Sequence, residues 1–244
     1  MARGLPGVIL SLFVVTGCVS QPASRGTAEV RLQLGLHYLA RHHYQAAQRN
    51  LLRAEQAAPR DYRVPLALAR LWQMQGNHAE TRRYYQRALA LAPSNGYVAN
   101  NYGAFLCALG QYDEAHQQFN RAISAQEAGA RSDGLELSGY CYLKSGRFSA
   151  ARQRLLAALQ ADRDKGTSLL KEAERHYEKR ELAATQLLLQ VFDHALPATA
   201  ESLWLKIRFA AQQSHAADVT RYGDQLARSF PQSIQYQRYL ANEY

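Results

Sequence analysis

The chain is short of the residues that break helices and of those that carry redox or metal chemistry. Among 244 residues there are 15 glycines, 7 prolines and 3 cysteines, and β-branched residues are thin. Scarce β-branched side chains argue against a strand-built fold, and scarce Gly and Pro leave long stretches free to coil. No CxxC spacing is present, which removes the commonest zinc and dithiol motifs. There is no Gly-rich loop to cradle phosphate. The eight histidines are scattered, and His42-His43 falls at a turn with no carboxylate or thiol at ligand spacing. Glu172 with His176, and Glu174 with Glu178, sit four apart on a helix, where solvated faces carry such pairs far more often than acid/base catalysts do. No catalytic residue, cofactor, metal or small-molecule substrate is expected.

The formal charge is +9 with a pI near 9.6, but the excess is spread out. From Cys18 to Ala130 there are 12 Lys+Arg against 7 Asp+Glu, and from Arg131 onward 16 against 13. A nucleic-acid surface needs a basic stripe with interleaved stacking aromatics, which the sequence lacks. Attraction to anionic head groups is a better use of the charge, and a solvated surface the plainest one.

What the chain has in abundance is Ala, Leu, Arg and Gln. Their side chains lose little rotamer freedom in a helix, so an all-α protein is expected. Prolines at 59 and 93, and at 197 and 231, are each 34 apart. That is the period of the tetratricopeptide repeat (TPR), a pair of antiparallel helices. The pattern places small residues where the two helices touch and bulky ones between them. It is met by Leu34-Gly35, Tyr38, Ala47, Leu51 and Ala54, then by Leu68-Ala69, Trp72, Gly76, Tyr85 and Ala88. It recurs in Tyr102-Gly103, Gly110, Tyr112, Ala115, Phe119 and Ala122, and in Gly139, Tyr142, Gly146, Phe148, Ala151, Leu155 and Ala158. Two extra residues near Ala128 to Arg131 shift the phase. The last two repeats are weaker, with Thr185 and Val219 where Ala is usual.

The expected fold is therefore a TPR superhelix of about six hairpins, at 28–61, 62–95, 96–131, 132–165, 166–199 and 200–233. A lone hairpin cannot bury its apolar face, whereas stacked hairpins share one core. Asp61, Ser94 and Ser132 are candidate N-caps, and Tyr236, Tyr239 and Leu240 mark a closing helix over the last hairpin.

Residues 1–17 stand apart. Arg3 precedes the apolar stretch Val8 to Val15, which is too short to span a bilayer but suits a secretory signal peptide. Its end, Val15-Thr16-Gly17-Cys18, resembles a bacterial lipobox. That likeness implies acylation of Cys18 and stable anchoring by several acyl chains. Val19 is not the Asp that retains lipoproteins in the inner membrane, so the periplasmic face of the outer membrane is the expected location. Residues 18–27 are polar and small, and read as a lipidated tether. Cys107 and Cys141 would then lie in an oxidising compartment. A bridge between them is conceivable; free, partly buried thiols are the expectation.

The first helices of stacked TPRs line a groove. The positions that face it hold Leu32, Leu36, Leu39, Leu66, Met74, Tyr97, Asn100, Asn101, Ala104, Cys107, Tyr140 and Leu143. Their apolar character suits a peptide or helix, with Asn100-Asn101 available to an extended backbone. Asp133 and Glu136 stand where a carboxylate clamp needs Lys or Asn, so capture of a free C-terminus is not expected.

Four blocks carry a closer likeness: VRLQLGLHYL from Val30, NNYGAFLCALGQYDEA from Asn100, SLWLKIRFA from Ser202 and FPQSIQYQRY from Phe230. With the lipobox, six repeats and length, they make the whole chain resemble the PilF/PilW family of type IV pilus biogenesis lipoproteins, the pilotins of the pilus secretin. The resemblance implies a lipid-anchored scaffold that binds secretin subunits and aids their delivery to the outer membrane and multimerisation, and hence twitching motility. A TPR lipoprotein of another envelope assembly machine, or an activator of cell-wall synthases, would share the fold and differ in partner.

Overall fold

The computed structural model describes residue 1 and residues 22–244. The rest of the signal segment and the lipobox cysteine Cys18 lie outside the described residues. Among the described residues there are thirteen helices and no strand. They are α1 (Pro22–Ala40), α2 (Tyr44–Ala57), α3 (Arg63–Met74), α4 (His78–Leu91), α5 (Gly96–Ala108), α6 (Tyr112–Ile123), α7 (Ala128–Lys144), α8 (Phe148–Ala161), α9 (Lys165–Glu178), α10 (Leu182–Ala195), α11 (Ala200–Gln212), α12 (Ala216–Ser229) and α13 (Ile234–Leu240). Short turns join α1 to α2, α3 to α4, α5 to α6, α7 to α8, α9 to α10 and α11 to α12, and α13 closes the last pair as a cap. Residues 22–27, read above as tether, are the first turns of α1.

The chain forms two compact units, Met1–Tyr84 and Tyr85–Tyr244. In the first, α1 lies against α2 and also touches α3. Gly35 explains the close fit of α1 on α2: a Cβ there would stand 2.5 Å from Leu51 Cδ2. The second unit repeats the device twice. A Cβ at Gly103 would meet the Phe119 ring at 2.7 Å, and one at Gly139 would meet Leu155 Cγ at 2.6 Å. Each pair joins the small position of a first helix to the bulky position of its partner. Only a missing side chain lets the backbones approach so closely.

The six hairpin turns share one geometry. Each has a residue in the left-handed region: Gly76, Gly110 and Gly146, and in the other three turns His42, Arg180 and Ser214, at φ near 60°. In all six, the following residue donates its N–H to a carbonyl in the last turn of the first helix, as Gln111 N does to Leu106 O. This is the Schellman-type close of a helix, and Gly adopts it without the steric cost borne by a side chain.

Two of the expected caps are displaced. Asn95, not Ser94, accepts the Val98 N–H to begin α5. Ser132 lies inside α7, because the two extra residues lengthen that helix at its start instead of forming a loop. Asp61 does accept the Arg63 N–H, one residue ahead of the N-cap Tyr62. The weaker repeats fold as hairpins all the same. Thr185 is fully buried where Ala is usual, and its hydroxyl donates to Glu181 O in its own helix, so no polar group is stranded.

The core of the second unit runs through Leu155, Leu169, Leu188 and Phe192, and then through Leu203, Ile207 and Leu226. The cap α13 lays Tyr239 onto Gly223, where a Cβ would meet the ring at 2.0 Å. Leu240, expected to cover the last hairpin, is 62% exposed; Tyr236 and Tyr239 do the covering instead.

His116 on α6 stacks on Tyr142 with centroids 3.6 Å apart and faces Ser138 Oγ at 3.2 Å. Burial, followed by Arg147 and Arg154, pushes its pKa down from 6.5 to about 4. The unfolded chain therefore takes a proton below pH 6.5 that the folded chain refuses until about pH 4. The His116 contribution to stability is whole above pH 6.5, falls across that window as pH drops, and levels off below it. An NMR titration of the His116 ring should place its midpoint near 4; a midpoint near 6.5 would contradict the buried, neutral ring.

Candidate binding surfaces

The structure divides the expected groove residues into three groups. Leu32 and Leu39 are core: they are 2% and 6% exposed, on the helix that packs on both α2 and α3. First-helix positions that would line an open trough are here covered by neighbouring helices. Leu36 stays half-buried and, with Val30, Leu34 and His37, lines a shallow cavity on the outer side of α1. Leu66 is half-buried and Met74 exposed.

In the second unit, Tyr97 is exposed. Asn100 and Asn101 are not available to an extended peptide in the way expected. Asn100 is 4% exposed, and its amide donates to Ala130 O at 2.7 Å. The lengthened start of α7 brings that carbonyl onto α5 and takes the Asn100 side chain into the interior. Asn101 donates to Tyr97 O of its own helix at 2.7 Å.

Ala104, Cys107, Tyr140 and Leu143 do come together. They line a groove of about 770 Å³ running from the end of α5 past the end of α7 to the α9–α10 turn. Leu143 forms its floor and is itself part of the core. Cys107 and Cys141 are joined by a disulfide between α5 and α7, with their Cα atoms 5.9 Å apart, which corrects the expectation of free thiols. First helices of adjacent hairpins lie side by side, so residues 34 apart face each other within bonding reach.

The groove is walled by charge. Glu172 is held by Arg175, and its carboxyl is lowered to about 2, first by the Arg175 hydrogen bond. His176 touches Glu172 at 3.3 Å and also meets Glu181. A carboxylate this firmly ionised makes a poor proton donor, and the cluster ties α9 to the start of α10. Asp133 and Glu136, the residues at the clamp positions, are engaged by Lys165, whose Nζ lies 2.9 Å from Glu136 Oε2. Tyr140 Oη donates to Glu136 at 3.0 Å; burial first, then that carboxylate, pushes the phenol upward. Glu174, paired above with Glu178, binds Arg208 on α11. His42 contacts Tyr44 Oη at 2.9 Å across its turn. Among the described residues no group of three or more His, Cys, Asp or Glu could hold a metal ion.

Phe148 and Leu182 edge the same groove and were not singled out for binding in the sequence. Both are the first residue of a second helix, a repeat position where Tyr44 and Tyr112 are half-buried and His78 and Ala216 exposed, and they are themselves 41% and 44% exposed.

Helical hairpins closed by one turn geometry, three of them packed with Gly against a bulky side chain, define a protein class, the helical-repeat scaffolds. The chain belongs to the tetratricopeptide-repeat family, whose profiles match residues 32–96 and 73–136. Within it, the chain is a homologue of type IV pilus assembly protein PilF of Pseudomonas aeruginosa, 29% identical over 97% of both chains. An uncharacterized protein of Haemophilus influenzae is 33% identical over 66% of this chain and 92% of its own length. Among solved structures, Pseudomonas aeruginosa PilF superposes with a TM-score of 0.62, covering 90% of this chain and 99% of that one at 29% identity. PilW, described as a widely conserved type IV pilus biogenesis factor, gives 0.61 at 22% identity over 87% and 98% of the two chains; that likeness is one of fold.

Proposed function

We infer that this chain is a pilotin: a scaffold without catalytic activity, anchored by acylated Cys18 at the periplasmic face of the outer membrane, that binds type IV pilus secretin subunits and promotes their localisation and multimerisation. The reading rests above all on similarity to type IV pilus assembly protein PilF along 97% of both chains. The lipobox at Val15 to Cys18 supports the anchor, and the Cys107–Cys141 bridge suits a compartment outside the cytoplasm. The physical mechanism is shielding plus address. Apolar surface on the hairpins covers a secretin segment in transit, while the acyl chains raise its effective concentration at the membrane. Pilus extrusion and twitching motility follow from an assembled secretin.

Deleting the gene should remove the heat-resistant secretin multimer from outer-membrane fractions on a gel. Cys18→Ala should leave the chain folded but shift it, and the secretin, away from that membrane. Intact multimers at wild-type level in the deletion strain would exclude the pilotin role.

A further inference from the structure

The groove of about 770 Å³ in the second unit has a charge pattern that says what kind of segment it fits. Its carboxylates are already answered: Glu172 by Arg175 and His176, Glu181 by His176. Two of its cations are not. Lys144, at the end of α7, spends its ammonium hydrogens on the carbonyls of Cys107 and Ala108, at 3.2 and 3.0 Å, and forms no ion pair among the described residues. Lys179, the exposed C-cap of α9, forms none either. Phe148 and Leu182 line the groove with these lysines, each open to solvent on the first turn of a second helix.

We propose that this groove is a docking site for an apolar polypeptide segment flanked by acidic residues. Phe148 and Leu182 receive its apolar side chains, and Lys144 and Lys179 pair with its carboxylates. The floor, formed by Leu143 and the Cys107–Cys141 bridge, is rigid, so little ordering is required on binding. Charge sets the choice of segment, because a basic flank would meet two ammonium groups that no carboxylate pairs among the described residues. This deepens the scaffold reading by naming the chemistry of the segment held, and it rests on the chain being a scaffold.

The test uses two fluorescent helical peptides with one Leu/Phe face, one flanked by Glu and the other by Lys, titrated into the purified full chain at low salt. The Glu-flanked peptide should bind roughly fivefold tighter, as two exposed charge pairs allow, and the gap should close with added salt. Lys144→Glu/Lys179→Glu should reverse the preference. Lys179→Glu alone, at an exposed site, should cancel the preference and serves as the test if the double variant does not fold. Phe148→Ser/Leu182→Ser should weaken both peptides by about tenfold with thermal unfolding unchanged. Equal binding of the two peptides, a preference that survives Lys179→Glu, or no binding at all would overturn the proposal. If no peptide binds yet the deletion strain lacks secretin multimers, the groove fails and the pilotin reading stands; peptide binding with intact multimers means the opposite.

Discussion

Cys107→Ala/Cys141→Ala should lower the unfolding free energy by about 3–4 kcal/mol. The bridge closes a 34-residue loop, and in the chain-entropy account a loop of that length restrains the unfolded state by about this amount. The bond joins first helices of adjacent hairpins, so its loss also frees α5 to separate from α7. Chemical denaturation of the double variant beside the wild type, each with and without reductant, measures the effect. Reductant should destabilise the wild type to the level of the variant and leave the variant unchanged. A variant within 1 kcal/mol of the wild type, roughly the size of an ordinary point mutation, would mean that packing alone holds the two helices in place.

Gly139→Val should cost about 2–3 kcal/mol through overpacking. The first added carbon would stand 2.6 Å from Leu155 Cγ and 3.3 Å from the Leu155 backbone nitrogen. Leu155 is 1% exposed and belongs to the core, so it has no free volume into which to turn. Relief must come from moving α7 away from α8, which opens the core on both. Gly26→Ala is the control, because nothing lies within 4 Å of a Cβ at Gly26. It should be neutral or slightly stabilising, since Ala favours helix. Thermal melts of the two variants separate packing from propensity. Equal midpoints would show that the close approach of α7 to α8 is not needed.

The glycine pairs were legible in the sequence because their cause is steric and strictly periodic. Gly35, Gly103 and Gly139 stand at one repeat position, and their partners Leu51, Phe119 and Leu155 at another. Turns were legible where the left-handed residue is Gly, as at Gly76, Gly110 and Gly146. The same turn at His42, Arg180 and Ser214 left no compositional trace; there the surrounding helices impose a conformation that the residue itself does not prefer.

Binding residues were harder to read. Periodicity says that Leu32 and Leu39 are apolar and on a given face, not whether another helix covers that face. Asn100 went inside because two inserted residues extended α7, a consequence invisible until the helices are placed. The spacing of Cys107 and Cys141 was visible, but a bond depends on distance in space. Phe148 and Leu182 carry identities that the repeat pattern asks for at a position no repeat buries fully, so identity alone did not mark them as binding residues.

The most direct test mixes the purified chain with purified secretin subunits and follows complex formation by calorimetry and gel filtration. A saturable complex should form, and Leu36→Glu, at a half-buried site on α1, should weaken it while the thermal midpoint holds. A folded chain that forms no complex with the secretin under any salt condition would contradict the account.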